Sequence, residues 1–148
     1  MNAESYSESL LHILRQHTAD AVAQVQKIKS SMPPKAMGIA IGVHPNQEPD
    51  GMFDILVHLE GPDLHCLNKA IDGYRYLFSV RFKDGKLAPN VPLFDPFDTD
   101  FEVNDVIVDT SIVWLKEIWS MLEDVDIAVP VTAFGADGYG TRARVKIR

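Results

Sequence analysis

The N-terminal segment carries one stripe of positions that recur at alternating spacings of three and four residues. The stripe consists of Leu11, Leu14, Thr18, Ala21, Val25, Ile28 and Met32. This spacing is typical of one face of an α-helix, so it predicts a single long helix over residues 5–31. Ser5 and Glu8 match a capping box at its start, and Pro33-Pro34 ends it. Because the stripe runs for about three heptads, it either packs on the chain's own sheet or forms a coiled-coil homodimer.

Alternation with a period of two predicts the first strands. In the segment 36–43, one side carries Ile39, Ile41 and Val43, and the other carries Gly38, Ala40 and Gly42. A face of small residues permits close approach, which we expect from the first helix, with a ligand as the alternative. A second strand over residues 52–60 has Phe53, Ile55, Val57 and Leu59 on its buried side.

The rest of the chain is predicted to alternate in the same way. Further strands are expected over residues 76–82, over a short edge segment after the Asp84-Gly85 turn, and over residues 126–134 and 141–147. Two more helices are expected over residues 63–73 and 109–123. The order α-ββ-α-ββ-α-ββ predicts an α+β fold, with an antiparallel sheet of about five to six strands and helices packed on one face. We expect one globular domain over residues 1–148.

Composition limits the function classes. The chain is 46% hydrophobic and 24% charged, with Cys66 as its only cysteine. It has no apolar run long enough to span a membrane and no basic, apolar start typical of a secretory signal, so we expect a soluble cytoplasmic protein. The net charge of −7 disfavours nucleic acid as a partner.

Most of the negative charge lies between residues 95 and 126. This stretch has ten acidic residues and one base, Lys116, which gives a net charge of −9. Phenylalanines interleave with the acids at its start, a combination that suits docking to a basic protein partner. The predicted partner-binding residues are Phe94, Phe97, Asp98, Asp100, Phe101, Glu102 and Asp105. The alternative is a solvated loop whose phenylalanines pack into the core.

A second candidate site lies on the strand over residues 52–60. Asp54, His58 and Glu60 are separated by even intervals and therefore share one face, where they could transfer protons or bind a divalent metal. A metal would need His44 or His65 as a third ligand, which requires geometry that the sequence does not supply. Alternating polar residues are also typical of a solvated sheet face. We therefore assign no metal, no cofactor and no catalytic residue.

The last strand is basic. Arg142, Arg144, Lys146 and Arg148 share one of its faces. Such a face either holds an anion, pairs with acids across the sheet, or protects a sheet edge from aggregation.

The leading functional hypothesis is a non-catalytic protein-interaction domain of the inhibitor, immunity or accessory type. It would use the acidic and aromatic surface. The alternative is a small-ligand-binding protein or enzyme with a pocket between sheet and helices, walled by Asp54, His58 and Glu60.

Overall fold

The computed structural model describes residues 1–122 and 124–148. The helices are α1 (Ala3–Gln16), α2 (Thr18–Ser31), α3 (Leu64–Lys69) and α4 (Val103–Met121). The strands are β1 (Gly38–Pro45), β2 (Phe53–Glu60), β3 (Tyr76–Ser79), β4 (Arg81–Lys83), β5 (Lys86–Ala88), β6 (Val131–Gly135) and β7 (Val145–Lys146). Short 3-10 turns lie at Asp72–Tyr74 and Ala136–Gly138. The mixed helix and strand content that the sequence predicts is confirmed.

Five strands form the main sheet, in the order β3-β2-β1-β6-β7. The pairs β1–β2, β2–β3 and β6–β7 are antiparallel, but β1 and β6 run parallel. The prediction of a purely antiparallel sheet is therefore wrong at its centre. The chain leaves the sheet after β3 and passes through α4, and this long connection lets β6 enter beside β1 in the same direction.

The segment predicted as one strand over residues 76–82 is divided between two sheets. β3 ends at Ser79 and pairs with β2, whereas β4 pairs with β5 in a separate hairpin. The predicted Asp84-Gly85 turn joins β4 to β5, with φ of 52° and 75° at its two residues. The hairpin places Arg81 and Lys83 beside the outer edge of the main sheet.

The predicted N-terminal helix is two helices that meet at His17. Its backbone N–H donates to the carbonyl of Leu14, three residues back, at 2.9 Å, and its φ of −104° and ψ of 9° are not helical. The capping box also begins earlier than predicted, because Asn2 and Ser5 exchange side-chain and backbone hydrogen bonds. Stripe residues Leu14, Ala21, Val25 and Ile28 are buried in the chain's own core. Homodimerisation through this segment stays a prediction.

Two faces of the sheet differ in what they contact. The side chains of Ile39, Ile41 and Val43 on β1, and of Phe53, Ile55, Val57 and Leu59 on β2, belong to the same buried cluster as the residues of α1, α2 and α4. Helix packing therefore uses the β-branched face of β1, and the expectation that the first helix packs on Gly38, Ala40 and Gly42 is wrong. We call the opposite side, which carries those small residues, the open face.

Helix α4 begins at Val103, six residues before its predicted start, and the predicted last residue, Glu123, lies outside the described residues. Glu102 and Asp105 stand at its N-terminus, where a negative charge interacts favourably with the helix dipole. None of the helices within residues 1–122 and 124–148 is both long and apolar enough to cross a bilayer.

Candidate functional sites

The segment 94–102, here called the acidic loop, is fixed to the core at both ends by aromatic rings. The ring centroids of Phe94 and Phe101 lie 4.7 Å and 5.9 Å from that of the buried Tyr6, and 5.6 Å from each other. The backbone N–H of Phe94 also donates to the carbonyl of Asp50 at 2.8 Å. Two of the three phenylalanines predicted to contact a partner therefore also hold the loop in place.

Phe97 differs from its two neighbours, because its side chain is 95% exposed. The turn that carries it is closed by Asp95: the carboxylate accepts from the N–H of Phe97 at 3.0 Å, and the carbonyl accepts from the N–H of Asp98 at 3.0 Å. Such side-chain-to-backbone bonds define an Asx turn, which restricts the backbone locally. The loop therefore presents one large apolar ring to solvent on an ordered turn.

The acids of the loop are exposed around that ring. Asp95, Asp98, Asp100 and Glu102 are all exposed. The three ion pairs of the described chain join Arg15 to Glu117, Arg81 to Asp54 and Arg144 to Glu60. The carboxylates of the acidic loop thus carry charge that no lysine or arginine of the described residues neutralises by direct contact.

Asp105 has a different role from the rest of the predicted set. Its carboxylate accepts from the N–H of Gly140 at 2.8 Å, and Asp109 one turn later accepts from the N–H of Thr141 at 3.0 Å. The two acids hold the connection between β6 and β7 against α4. The acidic start of α4 therefore contacts the backbone N–H groups of the segment before β7, while Arg144 of that segment pairs with Glu60.

The second predicted set, Asp54, His58 and Glu60, lies on the open face, but the three side chains do not converge. Asp54 accepts from Arg81 at 2.8 Å and from the hydroxyl of Ser79 at 2.8 Å. Glu60 lies 3.5 Å from Arg144. His58 contacts two residues that the sequence pattern did not place beside it, Arg75 and His44.

The side chains of His44 and His58 meet on the open face, although in the β1–β2 register His44 lies opposite Asp54 and His58 lies opposite Ala40. Their Nε2 atoms are 3.3 Å apart, and the guanidinium of Arg75 lies 3.0 Å from Nδ1 of His58. Arg75 is itself held by the edge of β2, because its Nε donates to the carbonyl of Val57 at 3.0 Å. Burial, followed by the charges of Arg75 and His44, lowers the pKa of His58 to about 4. Burial likewise lowers the pKa of His44, against the opposing effect of the Asp54 carboxylate.

The histidine pair is poorly arranged to hold a metal ion. A histidine ligand normally donates its other ring N–H to a carboxylate or carbonyl, whereas Nδ1 of His58 faces the donor Arg75. In the part of the chain that the structure describes, no three His, Cys, Asp or Glu side chains lie where they could share an ion. The arrangement is suited to one hydrogen bond between two neutral rings, with one Nε2 donating to the other.

A cleft of about 600 Å³ opens elsewhere, where the junction of α1 and α2 meets β3 and the β4–β5 hairpin. Its polar wall includes His17, Asp20, Ser79, Arg81 and Lys83. The sequence analysis predicts a pocket between sheet and helices, but its expected wall of Asp54, His58 and Glu60 does not line this cleft. The cleft depends on the break at His17 and on the separation of β4 from β3, which the sequence pattern does not reveal. Asp54 contacts two of its lining residues, Ser79 and Arg81, from the open face.

The whole chain, residues 1–148, matches a family of unknown function (DUF6389), and the protein belongs to that family. Neither a curated protein nor a solved structure is significantly similar to it.

Proposed function

We propose that this member of the family is a non-catalytic protein-interaction domain, of the inhibitor, immunity or accessory type, that docks its acidic loop onto a basic surface of another protein. The observation that carries the proposal is the 95% exposure of Phe97 on a turn whose two flanks are packed into the core. A single exposed apolar side chain is common on protein surfaces. Here it combines an ordered backbone, a large ring and surrounding charge of one sign.

Each of these three properties contributes to binding in a different way. Burial of a phenylalanine side chain contributes about 1.5–3 kcal/mol, which suits an anchor placed in an apolar socket. The ordered turn reduces the conformational entropy that association would cost. The carboxylates of Asp95, Asp98 and Asp100 would raise the association rate with a basic partner and make it sensitive to salt.

Affinity capture with three matched variants tests the proposal. Phe97→Ala removes the anchor, Asp98→Asn with Asp100→Asn removes two charges, and Phe82→Ala removes another exposed ring (61%) from the basic hairpin as the control. We expect a partner whose recovery falls with the first two variants, falls with added salt, and is unchanged by the control. Equal recovery of every captured protein by wild type and Phe97→Ala would exclude the loop as the binding element.

The cytoplasmic location belongs to the same proposal. Cys66 is an exposed free thiol, which a reducing compartment would preserve.

The alternative function, small-ligand binding, is supported by the cleft between the α1–α2 junction and the β4–β5 hairpin. Its volume of about 600 Å³ falls in the range of small-molecule sites, and it combines the aromatic surface of Tyr76 with the polar groups of His17, Asn90 and Lys83. A thermal-shift screen of small anions and metabolites, with Lys83→Ala as the cleft variant and Lys116→Ala as the distant control, tests it. A ligand whose stabilisation survives Lys83→Ala unchanged does not use this cleft wall.

A further inference from the structure

The arrangement of Arg75, His58 and His44 fixes where the ring protons lie. A guanidinium only donates hydrogen bonds, so Nδ1 of His58, 3.0 Å from Arg75, must be the unprotonated nitrogen. Neutral His58 therefore carries its proton on Nε2. That Nε2–H faces Nε2 of His44 at 3.3 Å and donates to it, so neutral His44 carries its proton on Nδ1.

Only one proton can lie between the Nε2 atoms of His58 and His44. If His44 becomes doubly protonated, both Nε2 atoms carry hydrogen and point at each other. His58 cannot relieve the conflict by moving its proton to Nδ1, because that nitrogen faces the Arg75 donor. The rings must then separate.

The charges around the pair determine which ring takes the extra proton and where it moves. Arg75 lies beside His58 and disfavours charge there, and Glu60 opposes it only partly. Asp54, the cross-strand partner of His44 on β2, and Asp137 in the turn after β6 both favour a positive His44. Arg144, from the segment before β7, lies over the Phe134 ring that borders both histidines.

The ring of His44 covers backbone that has no side chain of its own. A Cβ placed on Gly42 would lie 2.5 Å from Nε2 of His44 and 3.0 Å from Cζ of Phe134. The absence of a side chain at Gly42 is thus what lets His44 lie against His58. Movement of His44 towards the carboxylates would uncover Gly42 and one edge of the Phe134 ring.

We propose that His44 and His58 form a pH-sensitive latch on the open face of the sheet, closed while the two rings share one Nε2 proton. The latch opens when His44 gains a second proton and turns towards Asp54 and Asp137. Acidification then changes the surface of the open face at Gly42 and Phe134 without unfolding the sheet. The latch is independent of the acidic loop.

Ring-nitrogen NMR on the histidine-labelled protein tests the latch directly. At neutral pH we expect His58 protonated on Nε2 and His44 protonated on Nδ1. On acidification, the amide signals of Gly42 and Phe134 should shift with the midpoint of His44. The exposed rings of His12 and His65 serve as internal references. The opposite tautomers, or Gly42 and Phe134 signals that do not follow His44, would overturn the proposal.

Two variants test the coupling between the rings. His58→Gln removes the shared proton, and Gly42→Ala displaces His44 while keeping both histidines. In each variant the midpoint of His44 should rise, because the second Nε2 proton of His44 no longer meets the Nε2–H of His58 and the two sites no longer titrate as a pair. A His44 midpoint that stays unchanged in both variants, with the references also unchanged, would show that the rings titrate independently and that no latch exists.

Discussion

The structure separates two phenylalanines of the acidic loop that the sequence pattern treats alike, and this difference has a measurable consequence. Phe101 packs against Tyr6 and Phe94, whereas Phe97 is 95% exposed. A fully buried Phe→Ala substitution costs about 3–5 kcal/mol. Phe101 is partly buried, but it makes two aromatic contacts worth about 0.5–1.5 kcal/mol each. We therefore expect Phe101→Ala to lower the free energy of unfolding by about 2–3 kcal/mol.

Phe97→Ala is the matched control, with the same chemistry four residues away. Its free energy of unfolding should stay within about 0.5 kcal/mol of wild type, as for surface substitutions in general. Urea denaturation followed by the fluorescence of the buried Trp114 and Trp119 measures both. The expected loss for Phe101→Ala corresponds to a fall in Tm of about 4–12 °C. If the two variants unfold within about 0.5 kcal/mol of each other, the assignment of Phe101 as a loop anchor is wrong.

Three further outcomes follow from individual contacts. The pKa of His58 in the folded protein is lowered to about 4, so the unfolded chain binds this proton first as pH falls below about 6.5. The free energy of unfolding should therefore keep its full value above that pH and decrease towards pH 4. The decrease should be roughly 1–2 kcal/mol after allowance for solvent screening. His58→Gln should remove this part of the decrease, measured as the urea midpoint at a series of pH values. The same dependence of the midpoint on pH in wild type and variant would contradict the prediction. The Tyr6 hydroxyl is buried without a hydrogen-bond partner in the described structure, so Tyr6→Phe should be neutral or should stabilise the protein by up to about 1 kcal/mol. A loss of stability of more than about 1 kcal/mol in thermal melts would show that the hydroxyl has a hydrogen-bond partner. The Asn68 side chain accepts a hydrogen bond from the N–H of Leu59 and donates one to its carbonyl, so Asn68→Ala should lower the free energy of unfolding by about 1–3 kcal/mol. The Leu59 amide hydrogen should then exchange faster with solvent. If that amide stays protected from exchange, another group must accept its hydrogen bond.

Local patterns predict much of the fold because they report local physics. Alternation identifies the buried side of β2, and Asp84-Gly85 identifies the hairpin turn through its positive φ values. The break at His17 escapes prediction, because the stripe continues through it with the same spacing and without glycine or proline. The parallel pairing of β1 with β6 also escapes, because it joins segments about 90 residues apart through tertiary packing alone.

The candidate sites show the same limit. Charge and aromatic content identify the acidic loop, but not which ring is exposed, because Phe94, Phe97 and Phe101 have similar neighbours in sequence. The even spacing of Asp54, His58 and Glu60 correctly places them on one face. The spacing gives no information about Arg75. This residue reaches His58 because its side chain hydrogen-bonds to the carbonyl of Val57, at the part of the β2 edge that β3 does not cover.

The central claim, that Phe97 is the anchor of a protein interface, is tested most directly by site-specific photo-crosslinking. A photoreactive phenylalanine analogue is placed at position 97 in one protein and at position 82, an exposed ring on the basic hairpin, in another. The account predicts one defined crosslinked partner at position 97 that competes with unlabelled wild type, weakens with salt, and maps to a basic surface around an apolar socket. Crosslinks at position 82 alone, or the same products from both positions, would contradict it.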